Sequence, residues 1–167
     1  MDYRPLTCCF TGHRISKLPW RGNEADERCI ALKVRIYQAV EEAYSQGYSQ
    51  FICGMALGCD MFFAEAVLLL KRDHPEVRLI AAVPFPGQPN HWESSLRQRY
   101  YGLLRQCDEV VTVCPSYTRD CMMIRNRYMV NNASLVIACF DGTPGGTMNT
   151  VLYAKRQSVP LVMVPIE

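Results

Sequence analysis

The chain has 167 residues, of which 49% are hydrophobic and 20% charged. That is the range of one compact domain with a proper core, and it excludes a disordered or fibrous segment. Eighteen basic residues against sixteen acidic ones leave a formal net charge of +2, far from the basic excess of a protein that lives on nucleic acid phosphates.

Nine cysteines are present, but most lie inside apolar runs, as in "LTCCF", "QFICG" and "SLVIACF". There they pack as small hydrophobes, which points to reduced thiols in the cytoplasm rather than a disulfide scaffold. No C-x-x-C pair or zinc spacing occurs, so no metal is expected. The segment "MDYRPLTCCF" has no basic-then-apolar leader pattern, and no run approaches the roughly 20 apolar residues of a membrane span.

In chain order, the apolar runs "LTCCF", "QFICG", "VRLIAAVPF", "EVVTVC", "SLVIACF" and "PLVMVPI" predict six strands buried on both faces of a parallel sheet. Between the first two, residues 24–47 carry Cys29, Leu32, Ile36, Val40 and Ala43 at spacings of three and four, and Gly47 stops the resulting amphipathic helix. Further helices are predicted at about residues 58–73, 90–106, 121–132 and 145–157. Strand and helix alternate throughout. Residues 1–167 therefore read as a single α/β domain, Rossmann-like and doubly wound, with a mainly parallel sheet of about six strands and helices on both faces.

In such sheets ligands bind beyond the carboxyl ends of the strands, where strand order reverses. After the first strand comes "TGHR", with Gly12, His13 and Arg14; after the second, "GMALGCD", with Gly54, Gly58 and Asp60; after the fifth, "DGTPGGT", with Gly145, Gly146 and Thr147. Glycines allow close approach and a helix start offers free N–H groups, which together suit a phosphate or carboxylate. Arg14, aimed into the crevice, adds charge, as does Arg127 beside Asn126 in "IRNRYMVNNAS". His13 reads as an orienting residue, because no carboxylate adjoins it in the sequence. Asp60 either rests on the dipole of its own helix or meets a ribose hydroxyl. Trp92 and Tyr117 are candidates for stacking on a base. Nucleophile elbow, Walker A, zincin and dinucleotide fingerprints are missing.

The spaced set "CFTGHR" (9–14), "GMALGCDMFFAE" (54–65), "RNRYMVNNAS" (125–134) and "DGTPGGT" (141–147) resembles the YpsA-like proteins of the SLOG superfamily. That superfamily also holds the DNA-processing protein DprA and the cytokinin-activating LOG enzymes. The resemblance implies a Rossmann-type domain that binds a nucleotide or nucleotide derivative, such as a nucleotide sugar or an ADP-ribose relative, with a sensor role in stress or division signalling. It also implies pairing of copies through helices that flank the pocket.

LOG enzymes cleave the N-glycosidic bond of a nucleoside monophosphate with a P-G-G-x-G-T-x-x-E motif. Here Met148, Asn149 and Leu152 replace its third glycine, threonine and glutamate. A phosphoribohydrolase would need another carboxylate, with Glu65 or Asp60 as the candidates. The leading expectation is a binding protein for a small phosphate-containing ligand; a hydrolase is the alternative, and nucleic acid is disfavoured.

Overall fold

In a computed structural model, which describes residues 1–167, six strands alternate with five α-helices. They are β1 (Thr7–Gly12), α1 (Glu27–Ser45), β2 (Gln50–Cys53), α2 (Cys59–Asp73), β3 (Arg78–Val83), α3 (Ser94–Leu104), β4 (Glu109–Thr112), α4 (Cys121–Asn131), β5 (Leu135–Cys139), α5 (Gly146–Arg156) and β6 (Leu161–Val164). The strands form one sheet in the order β4-β3-β2-β1-β5-β6, and every neighbouring pair is parallel. The fold is Rossmann-like.

Side-chain alternation divides the sheet into two cores. Cys8, Phe10, Phe51, Cys53, Leu79, Ala81, Ile137 and Cys139 face one side, where α1 and α2 pack together and α3 packs on α2. Cys9, Ile52, Ile80, Ala82 and Val136 face the other, under α4 and α5. The first core is the larger, and Phe10 stacks on Phe63 within it at 4.6 Å between ring centres. Each such large side chain contributes about 1.5–3 kcal/mol by leaving water. The apolar stripe expected on the first helix, Cys29, Leu32, Ile36, Val40 and Ala43, is the buried face of α1.

Two expectations need correction. The strands are not all buried on both faces: β1, β2, β3 and β5 are, whereas β4 exposes Val110 and β6 exposes Val162 and Met163. These two lie at the sheet edges, where cover is incomplete, and their apolar sequences look the same as those of the centre. The third helix begins at Ser94, not near residue 90, because "PGQPNHW" closes into turns through Asn90 N–H to the Gly87 carbonyl and Trp92 N–H to the Pro89 carbonyl. All nine cysteines are free thiols. No helix is long and apolar enough to cross a membrane.

Candidate functional site

The strand order reverses between β1 and β5, which leave the sheet side by side with Gly12 opposite Cys139. Their outgoing loops part to opposite faces, and a cleft of about 180 Å³ opens between them. Of the residues singled out in the sequence, Gly12, His13, Arg14, Asp60, Asn126, Gly146 and Thr147 line it. Arg127 lines a neighbouring groove between α4 and α5. Gly54, Gly58, Gly145 and Glu65 do not line the cleft.

The two loops are riveted together. His13 N–H donates to the Cys139 carbonyl at 3.0 Å, and the buried His13 ring places Nε2 2.8 Å from Oδ1 of Asp141. The same oxygen accepts from the Thr143 hydroxyl at 2.6 Å and its N–H at 3.0 Å. The Thr143 hydroxyl, followed by His13, holds the Asp141 carboxyl well below the usual carboxylate range. His13 thus ties the two loops together through a carboxylate 128 positions away. Asp141 was missed because only the parallel pairing of β1 with β5 makes it a neighbour.

Arg125 forms the floor. It projects from α4 and is only 3% exposed. Its Nη1 donates to the carbonyls of Gly54 at 2.6 Å and Ala82 at 3.3 Å, and its Nε to Oδ1 of Asn126 at 2.9 Å. Burial pushes the guanidinium pKa down, the Asp60 carboxylate draws it back up, and the nearby Arg14 pushes it down again. Asp60 is buried at the start of α2, and its Oδ2 accepts from Ala56 N–H at 3.0 Å. Burial raises its pKa above the ordinary value, opposed by Arg125. Asp60 therefore shapes its own loop and serves as counter-charge to Arg125 while still facing the cleft.

The glycines were expected to admit the ligand, and for three of them the room is used by the protein itself. A Cβ on Gly54 would fall on the Arg125 guanidinium, and one on Gly12 would lie 2.6 Å from Cβ of Cys59. Gly58, with φ +91°, lets α2 start against the His13 carbonyl, 2.7 Å from where its Cβ would be. The β2–α2 loop also holds Met55 at φ +55°, a conformation uncommon for a side-chain-bearing residue. Gln88 steadies it by donating to the carbonyls of Gly54 and Met55, each at 3.3 Å.

The α5 terminus differs. Gly145 precedes it with no side-chain cap, and no acidic residue lies in its first turn. A Cβ added at Gly146 would meet nothing within 4 Å. The first N–H groups of a helix have no intrahelical acceptors, and Gly146 and Thr147, which supply two of them, are on the cleft lining. Across it, Arg14 reaches the Met122 sulfur at 3.7 Å and Lys17 donates to the Pro144 carbonyl at 2.6 Å. Neither is ion-paired. Lys17 escaped the sequence reading because a 3-10 turn at Ile15–Lys17 folds it back over the loop. Arg125 adjoins Asn126 in "IRNRYMVNNAS", but its burial was not legible from its helix position.

Glu65 is corrected as a catalytic candidate. Arg99 donates through Nε to its Oε1 at 2.8 Å, and the same arginine, with Lys33, holds Glu24, so its carboxylate is committed to an ion-pair network outside the cleft. Trp92 and Tyr117 are likewise elsewhere, edge-on against Tyr100 and Phe85. No group of three or more His, Cys, Asp or Glu side chains is arranged to hold a metal.

A family model described as the YspA SLOG family, and named YpsA, matches residues 8–160. The chain belongs to the YpsA family of SLOG proteins. It is similar to the prophage-derived protein YoqJ of Bacillus subtilis, with 29% identity over 140 residues that cover 76% of this chain and 82% of the relative. It is also similar to a UPF0398 protein of Halalkalibacterium halodurans, with 26% identity over 75% of this chain and 68% of the other.

Two solved structures share the fold of this SLOG domain. DNA processing protein A from Helicobacter pylori, described as binding single-stranded DNA, superposes with a TM-score of 0.63 at 16% identity. The match covers 96% of this chain but 65% of that one, so this chain spans just under two thirds of the DNA-processing protein. The molybdenum cofactor binding protein of Rippkaea orientalis has a TM-score of 0.57 at 17% identity, over 97% and 77% of the two chains.

Proposed function

We propose that this YpsA-family protein binds a small phosphate-containing ligand, a nucleotide or nucleotide derivative, in the cleft between β1 and β5. The observation that carries this reading is a charge imbalance. Arg14, Lys17 and Arg125 converge with the bare α5 N-terminus on a cleft whose only carboxylate, Asp60, is set back at the start of α2. An anion entering there gains charge-assisted hydrogen bonds from cations and from backbone N–H groups already in place. Thr11 and Thr147, both on the lining, bring hydroxyls that can donate to phosphate oxygens.

The molybdenum cofactor binding protein, built on the same fold, is consistent with a small-molecule role. The free thiols accord with a cytoplasmic address, and a sensor role in stress or division signalling belongs to the same proposal. Thermal denaturation with inorganic phosphate, AMP, ADP-ribose, a nucleotide sugar and a short single-stranded oligonucleotide tests it. A ligand at a hundredfold excess over its Kd should stabilise the fold by about 2.7 kcal/mol. If only the oligonucleotide shifts the transition, the small-ligand reading fails.

A hydrolase reading rests on Asp60 alone, the one carboxyl group on the cleft lining, whose pKa burial raises above its ordinary value. Against it, Leu152 stands where LOG enzymes carry a glutamate, and no acidic residue lines the α4–α5 groove around it. Incubation of bound nucleotides should release no free base by chromatography. Release that disappears in Asp60→Asn would reverse this assignment.

A further inference from the structure

A second concavity, of about 460 Å³, continues the cleft along the seam between α4 and α5, and Met122, Asn126 and Gly146 are common to both. Its lining holds three arginines, Arg119, Arg127 and Arg156, and no carboxylate. Two of them converge on one ring: the Arg127 guanidinium lies 5.1 Å and that of Arg156 5.7 Å from the centre of Tyr153. The ring is itself fixed by its hydroxyl, which donates to Oδ1 of Asn131 at 2.7 Å. None of the three arginines is ion-paired.

Like charges gathered on a fixed platform repel, and the repulsion is relieved when an anion sits between them. The contrast with the Glu24–Lys33–Arg99–Glu65 network, where opposite charges alternate, is one of sign. In that network the protein supplies both partners; in the groove it supplies one.

We propose that the α4–α5 groove is a second anion subsite, so that the ligand carries two phosphoryl groups separated by about one nucleoside. This rests on the reading of the cleft given above. With the first phosphoryl group at the α5 N-terminus, the spacing follows from the helix. Gly146 to Tyr153 is seven residues of α5, about 10 Å at 1.5 Å per residue, and side chains on a helix lean towards its N-terminus, which shortens the gap. A nucleoside monophosphate has one phosphoryl group and cannot fill both places. A dinucleotide with a 5′-phosphate can, with its intervening sugar passing Asn126 and Asn149 and its base against the apolar part of the wall.

The test compares inorganic phosphate, AMP and the 5′-phosphorylated diadenylate pApA by calorimetry on the whole chain. The diadenylate should bind at least about tenfold tighter than AMP, as one further charge-assisted contact implies. Arg127→Ala and Arg156→Ala should each remove about that factor for pApA and leave AMP binding and the melting temperature unchanged. Arg14→Ala should weaken both ligands alike. If pApA binds no better than AMP, or if the groove variants weaken AMP as much as pApA, the groove takes a base and the second subsite is overturned while the cleft reading stands. If phosphate, AMP and pApA all fail to bind, the cleft reading falls with it.

Discussion

Arg99 and Arg125 are both drawn out of bulk water, and they end in opposite electrostatic states. Arg99 is held between Glu24 and Glu65 and lies near the Phe62 ring, so its charge is cancelled where it sits. Arg125, almost fully buried, spends its donors on the carbonyls of Gly54 and Ala82 and on Asn126, and the charges that act on it are the attracting Asp60 and the repelling Arg14. A buried cation bonded to carbonyls is satisfied as a donor but only partly neutralised. The first arrangement fastens a loop and three helices together; the second leaves positive potential at the floor of a cleft.

The comparison predicts a graded set of effects. Arg125→Leu should be the most severe: it removes a charged donor from the Gly54 and Ala82 carbonyls and leaves Asp60 without its counter-charge, which costs about 3–5 kcal/mol in urea denaturation and abolishes ligand binding. Gly54→Ala comes next. The added methyl displaces the Arg125 guanidinium, with a loss of about 1–3 kcal/mol and a marked fall in affinity; unchanged affinity would mean that Arg125 does not need its seat.

Arg99→Ala and Arg14→Ala sharpen the contrast from either side. Removal of Arg99 should cost about 1 kcal/mol with binding intact, and removal of the exposed Arg14 should change stability by less than about 0.5 kcal/mol while affinity drops about tenfold. An inverted pattern would exchange the roles of the two clusters.

The smallest effects are in pH dependence, and they have opposite signs. Asp141 has a folded-state pKa below its unfolded value. Its contribution is complete above the ordinary carboxylate value of about 3.9 and is lost as pH falls through the folded value. Asp60 has a raised folded-state pKa, so its contribution is present below the ordinary value and is lost as pH rises through the folded one. Denaturation midpoints across acidic pH should therefore show Asp141→Asn flattening the acid limb and Asp60→Asn flattening the limb above it.

Much of the architecture was legible in the chain. Runs such as "SLVIACF" and the three-and-four spacing of α1 encode local conformation, because a strand buried on both faces and a helix buried on one impose different periods on apolar residues. The edges were not legible: "EVVTVC" and "SLVIACF" are both short apolar runs, and only strand order decides which is covered. At the site, the loops after β1, β2 and β5 could be chosen from topology alone, and Gly146 and Thr147 could be read as an open helix start. That most of the glycines serve packing could not be, since Gly12 and Gly54 are asked for space by Cys59 and Arg125 from distant segments.

What the sequence determined by itself is the alternation of six strands and five helices, together with the edge of the sheet where polar and glycine-rich loops collect. Those features follow from interactions between residues a few positions apart. Only the tertiary structure decided that His13 meets Asp141, that Arg125 is buried beneath the cleft, that Lys17 bends back to the loop before α5 and that Glu65 belongs to Arg99. Each depends on which of two faces a side chain enters and on what arrives there from another part of the chain. Electrostatic outcome is set by those neighbours and by the loss of water, neither of which residue identity contains.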